Sequence, residues 1–137
     1  MPKMSPLRFL SYSVENLEYK SLPDTNEANE IELQPDIRAK LIKKDDRCYD
    51  LSLSVSLAPE EDRSLPFEIK ITLVGHFEFS EGEDVFADNR KEQILRQNTV
   101  AILFPFLRST LAAVTTIANI PPVILPVINF AEEKTVE

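Results

Sequence analysis

The chain has 137 residues, 43% hydrophobic and 8% aromatic, with 15 basic against 23 acidic side chains and a net charge of −8. That length fits one domain with a core of its own, and the apolar content is too high for general disorder. The acidic balance, with no basic stripe among aromatics, excludes a phosphate-backbone partner such as nucleic acid.

Cys48 is the only cysteine, so no internal disulfide forms, and the N-terminus MPKMSPLRFLSYS lacks the apolar run of a secretory signal. A cytoplasmic protein is expected. Residues 1–137 read as a single domain, with 1–6 and 131–137 as flexible ends.

Leu7 to Tyr19 reads as a first extended segment in which Leu7 and Phe9 hold one parity and Leu10, Tyr12 and Val14 the other. The change implies a bulge or a strand with two apolar faces. Ser21 to Pro35 is an acidic loop with two prolines and no basic residue, whose apolar handles are Ile31 and Leu33. Asp36 to Lys43 alternates Ile37, Ala39 and Leu41 against Arg38 and Lys40 as a half-buried second strand, and Lys44 to Arg47 is a turn.

The third strand alternates strictly, with Tyr49, Leu51, Leu53, Val55 and Leu57 against Asp50, Ser52, Ser54 and Ser56. After the charged turn Pro59 to Arg63, the fourth keeps odd parity through Phe67, Ile69, Ile71, Leu73, Phe77 and Phe79, and Gly75 is the one odd position without a side chain. Four such strands make an antiparallel sheet with one face to be covered.

The cover is helical. After the acidic loop Ser80 to Ala87, Asp88 or Asn89 caps a short helix RKEQILRQ, and a longer one is expected from about Asn98 to Ala118. Ile102, Phe106, Ser109 and Ala113 form one stripe of the longer helix, and Leu103, Leu107, Leu111 and Val114 form the next. A helix apolar on most of its circumference is buried on both sides, which a single small sheet cannot achieve. Oligomerisation follows, with Ile102, Leu103, Leu107, Leu111 and Val114 expected at a subunit interface. Pro105 removes a backbone hydrogen bond and should kink or break this helix. Beyond Asn119 the segment PPVILPVINF runs extended. Pro105, Arg108, Pro121, Pro122 and Pro126 interrupt the block from Gln97 to Ala131, so no stable membrane insertion is expected.

Catalytic signals are sparse. His76 is the only histidine, so a Ser or Cys nucleophile with an imidazole base would have to use it, and it lies on the polar parity of the fourth strand. Cys48, beside a turn, reads as an inert half-buried thiol. Glu81, Glu83, Asp84 and Asp88 lack the spacing and central glycine of a calcium loop, and Gly75 and Gly82, the only glycines, cannot form a phosphate loop. Neither an enzyme, a metal site nor a cofactor is expected.

The run ILFPFLRSTLAAVTTIANIPPVILPVINF resembles the SecB export-chaperone family. The resemblance rests on Ile102, Leu103, Phe104, Pro105 and Arg108, then Pro122, Leu125, Pro126, Val127, Asn129 and Phe130, with Tyr49 to Leu57 and Phe67, Gly75 and Phe77 matching upstream. It implies an α+β fold, a four-stranded antiparallel sheet covered on one face by a kinked long helix and assembled as a dimer of dimers with the long helices between the sheets. The implied function is an ATP-independent holdase that keeps unfolded polypeptides from aggregating before export.

Ile31, Leu33, Phe104, Phe106, Ile120, Val123 and Leu125 are the residues expected to line the client groove. The chain stops after AEEKTVE, where the family continues into a second helix and a tail that contacts the translocase ATPase SecA. Asn16, Lys20 and Lys70 occupy positions where the family carries acidic residues that dock SecA, which argues against that partner. Some relatives serve toxin–antitoxin systems with an antitoxin as client, and an oligomeric adaptor that kept the fold without client binding is the other alternative.

Overall fold

Strict alternation produces an amphipathic sheet. The computed structural model describes residues 6–23, 34–60, 65–121, 123 and 125. Four strands, β1 (Leu7–Ser21), β2 (Asp36–Lys43), β3 (Cys48–Leu57) and β4 (Phe67–Phe79), precede a 3-10 turn at Val85–Ala87 and one long helix, α1 (Asn89–Ile117). All neighbours are antiparallel, in the order β1-β4-β3-β2. The last three strands thus form a meander, and β1 returns to lie beside β4 at the far edge.

The eleven odd-parity side chains of β3 and β4 are all buried under α1. At about 1.5–3 kcal/mol each, they are the largest stabilising contribution in the fold. The even positions, among them Ser52, Ser54, Thr72 and His76, form the outer face away from the helix.

The parity change in β1 is a β-bulge. The register slips between Phe9 and Ser11 and again between Val14 and Asn16, leaving Leu10 and Glu15 without partners in the ladder. Tyr12 therefore pairs with Gly75, Val14 with Leu73, Leu17 with Ile71 and Tyr19 with Ile69, all on the helix side.

Asp45 shapes the β2–β3 turn: its carboxylate accepts the backbone N–H groups of Arg47 and Cys48 at 2.8 Å each. Those two bonds hold its pKa below the ordinary 3.8. Tyr49, fully buried, donates its hydroxyl hydrogen to the carbonyl of Glu83 and accepts from the N–H of Val85 at 3.1 Å, pinning the loop before α1 to β3. In the acidic loop Glu83 pairs with Lys91 at 3.2 Å and Asp84 with Lys43 at 3.6 Å.

The helix is single, which corrects the expected break near Asn98. Asp88 caps it, its carboxylate accepting from the N–H groups of Arg90 (2.9 Å) and Lys91 (3.4 Å). From there Leu95, Thr99, Val100, Leu103, Phe104, Leu107, Leu111, Val114 and Thr115 keep one buried stripe in phase across the whole length. Pro105 sits inside it on the exposed side, so the hydrogen bond it cannot donate falls where water supplies a substitute.

The end is equally specified. Asn119 takes φ 59°, and the N–H groups of Asn119 and Ile120 bond back to the carbonyls of Thr116 and Thr115 at 3.1 Å each. This left-handed cap turns the chain back, so Ile120 packs on the core and Val123 and Leu125 are buried.

At Gly75 helix and sheet approach closely. A β-carbon there would stand 2.9 Å from a ring carbon of Phe77 and 3.2 Å from a methyl of Leu103. Gly75→Ala should destabilise the protein by about 1–3 kcal/mol, read as a lower urea midpoint with unchanged slope.

Candidate functional site

The described residues hold an apolar surface that the fold itself leaves open. α1 lies mainly over β3 and β4 and touches β1 least. The helix-side residues of β1 consequently run out from under cover: Tyr12 is 38% exposed, Val14 and Leu17 51% each and Tyr19 37%. From Tyr12 to Tyr19 the strip is roughly 23 Å long at about 3.3 Å per residue.

Aromatic stacking closes its upper end. Phe106 on α1 lies 4.8 Å, centroid to centroid, from Tyr12 and 5.7 Å from Phe9, and Phe9 lies 5.3 Å from Phe77 in the core. Among the described residues β1 is also an edge strand, with no strand paired to its outer side. Exposed apolar side chains beside free backbone donors and acceptors invite another extended chain.

A second apolar surface lies on the outer side of α1. Ile94 and Ile102 are partly exposed there, and Ile117, at 84%, stands almost free. By length and composition alone α1 would pass for a membrane span. Its stripe buried on the sheet is the behaviour of a core helix in a globular protein.

The residues singled out from sequence divide unevenly. Of the groove candidates, Ile31 and Leu33 lie outside the described residues, and Phe106 is on the open strip. Phe104, Val123 and Leu125 are buried at 9% exposure or less, and Ile120 is half-buried against the core. Val123 and Leu125 do approach Arg108, Ser109 and Ala112 around an open cavity of about 350 Å³.

Of the interface candidates, Ile102 alone faces outward. Leu103, Leu107 and Leu111 are fully buried and Val114 nearly so, all against the chain's own sheet. Of the two adjacent apolar stripes, the leucine stripe turns inward in the single subunit, and its Leu103 fills the space over Gly75. Sequence reasoning also missed Leu17 and Tyr19. The parity shift in β1 pointed toward them, but their exposure depends on β1 being an edge strand.

Burial pushes the Cys48 thiol up, with Asp45 and Glu78 adding to the effect, so it stays protonated and a poor nucleophile. On the outer face Asn16, Lys20 and Lys70 do come together across β1 and β4, but they alternate with Glu18 and Glu68. Lys70 pairs with Glu68 at 3.2 Å, and the Asn16 amide donates to Glu18 at 3.0 Å. The patch carries mixed charge rather than an acidic field.

Comparison with known proteins follows the same lines. A family model described as SecB, preprotein translocase subunit SecB, matches residues 9–133. An uncharacterized protein of Methanocaldococcus jannaschii is 29% identical over 133 residues, 95% of this chain and 83% of that protein. The protein-export protein SecB of Anaplasma phagocytophilum is 32% identical over 83 residues, 61% of this chain and 52% of its own length. That of Maricaulis maris is 27% identical over 131 residues, 91% of this chain and 73% of its own. Among solved structures, the SecB-like chaperone Rv1957 of Mycobacterium tuberculosis, in complex with a ChAD peptide from the HigA1 antitoxin, superposes with a TM-score of 0.71 at 9% identity, covering 90% of this chain and 91% of that one.

Proposed function

Because the chain belongs to the SecB family, a family of chaperones rather than enzymes, we propose that it is an ATP-independent holdase for unfolded polypeptides. The observation that carries this reading is the open strip of Tyr12, Val14, Leu17 and Tyr19 beside Phe106, on a strand that is at the sheet edge among the described residues. An unfolded segment offers apolar side chains and unsatisfied backbone groups, and this surface accepts both without demanding a sequence. The outer side of α1, with Ile94, Ile102 and Ile117, is the surface proposed for self-association into a dimer of dimers. Ile102 is the one residue of the expected interface that this role retains. Ile31 and Leu33 remain proposed groove residues. The protein is proposed to work in the cytoplasm, in line with a chaperone of nascent or unexported chains.

The test is suppression of aggregation. Purified protein added in equimolar amount to a chemically unfolded client should keep it soluble without nucleotide. A client that aggregates at the same rate with and without the protein sinks the holdase reading and leaves an adaptor that kept the fold.

A second reading names the client as an antitoxin. It is favoured by the fold likeness to the Mycobacterium tuberculosis chaperone bound to an antitoxin peptide. A client library that returns one encoded antitoxin, bound far more tightly than reduced unrelated proteins, would select it. SecA is not proposed as a partner, since the sheet face that would meet it carries Lys20 and Lys70.

A further inference from the structure

The outer face of the sheet holds a constellation that the chaperone role does not use. On β4, His76 lies directly across from Asp50 of β3 and from Ser11 of β1. Its Nδ1 is 2.9 Å from Asp50 Oδ1, and its Nε2 is 3.3 Å from the hydroxyl of Ser13. The two ring nitrogens thus have different neighbours, and their roles follow. A carboxylate only accepts, so Nδ1 carries the hydrogen given to Asp50, and in the neutral ring Nε2 is left with a lone pair facing the Ser13 hydroxyl. We propose that Ser13 is a nucleophile for acyl transfer from activated esters and thioesters, with His76 as its general base and Asp50 positioning the imidazole.

The reaction balances with these three side chains and water. Ser13 Oγ attacks the acyl carbon while its proton passes to His76 Nε2. The bond to the leaving oxygen or sulfur then breaks, and that atom takes the proton from the imidazolium, leaving an ester on Ser13. A water molecule deprotonated by His76 cleaves this ester, releasing the carboxylic acid and returning the hydroxyl. A separation of 3.3 Å is loose for this bond but ordinary for a site without substrate.

The surroundings define the substrate class. Ser13 is exposed on an edge strand and His76 is 37% exposed, so the site is open and shallow. Each oxyanion donor in a preorganised hole contributes about 10²–10³ in rate, and an open, shallow site on a sheet face is not built around such a hole. Amides and alkyl esters are therefore out of reach. Small acyl groups on good leaving groups, whose carbonyls need little help, are the substrates that fit. This site lies on the opposite side of the sheet from the apolar strip, so client binding and acyl transfer are separable.

The probe is p-nitrophenyl acetate with the full chain, followed by peptide mass mapping. Acetyl-Ser13 should appear with a burst of nitrophenolate, and His76→Gln should reduce that labelling about 100-fold. Ser13→Ala, at an exposed position that does not threaten folding, should abolish the burst. Asp50→Asn should remove most of the labelling, whereas Asp50→Glu, which keeps a carboxylate for Nδ1–H, should restore part of it. Absence of acetyl-Ser13, or equal Ser13 labelling in wild type and His76→Gln, overturns the proposal. So does a burst that survives in Ser13→Ala, which would assign the reaction to His76 or lysine side chains acting alone.

Discussion

Leu103→Ala is expected to lower the free energy of unfolding by about 2–5 kcal/mol, the largest loss from any single truncation in α1. Leu103 is fully buried, and its methyl groups rest 3.2 and 3.4 Å from where a Gly75 β-carbon would stand. The sheet has no side chain at that point to relax into the void, so the cavity would stay open. Against a total stability of about 5–15 kcal/mol for a domain, such a loss is decisive. Urea unfolding followed by circular dichroism at fixed protein concentration measures it. A loss below about 1 kcal/mol would mean that the helix does not pack over Gly75 as described. The neighbouring Ile102→Ala, on the outer side, should change monomer stability by much less and act instead on self-association.

Tyr12→Asp combined with Phe106→Asp is expected to weaken client protection at least tenfold, equivalent to about 1.4 kcal/mol of binding free energy. The two rings are in contact at 4.8 Å and both remain more than a third exposed. Aromatic anchors carry a disproportionate share of binding energy, and a carboxylate in their place repels an apolar chain. The fold should survive, because neither ring is part of the fully buried core. Sedimentation of the same variant separates two explanations for lost protection. An intact oligomer that no longer holds client supports the strip as the client surface. A dissociated one reassigns it to the contact between subunits. Leu125→Asp is the useful contrast: at 2% exposure Leu125 is a core residue, so a charge there should unfold the C-terminal turn rather than report on binding.

Much of this architecture was legible from residue order. The alternation of β3 and β4 is so regular that all eleven predicted core positions are buried. Asp88 was readable as a cap, and Asn119 as the point beyond which helix could not continue. The choice between the two helix stripes was not readable. Ile102 and Leu103 are adjacent in sequence and similar in hydropathy, and the bare spot at Gly75 that Leu103 fills acts through space. The position of β1 was likewise hidden, because its pairing with β4 joins residues far apart in the sequence, from Ser21 with Phe67 to Leu7 with Phe79. Tyr12 to Tyr19 therefore could be read as apolar but not as uncovered. The contact between Ser13 and His76, 63 positions apart, has the same origin. Ile31 and Leu33 fall outside the described residues.

The irregularity at Leu10 has a reach beyond its size. In an uninterrupted ladder, Leu10 would stand where Ser11 now meets His76, Tyr12 and Val14 would point away from the helix, and Ser11 and Ser13 would face the core. One unpaired residue reverses the phase of the strand, and a second at Glu15 absorbs the polar residue that would reverse it again. The sticky side and the hydroxyl-bearing side of β1 are thus set by the same slip. Substitutions leave that phase intact, but an inserted or deleted residue between Phe9 and Asn16 that the sheet failed to absorb would exchange the two surfaces at once, and with them what each can bind.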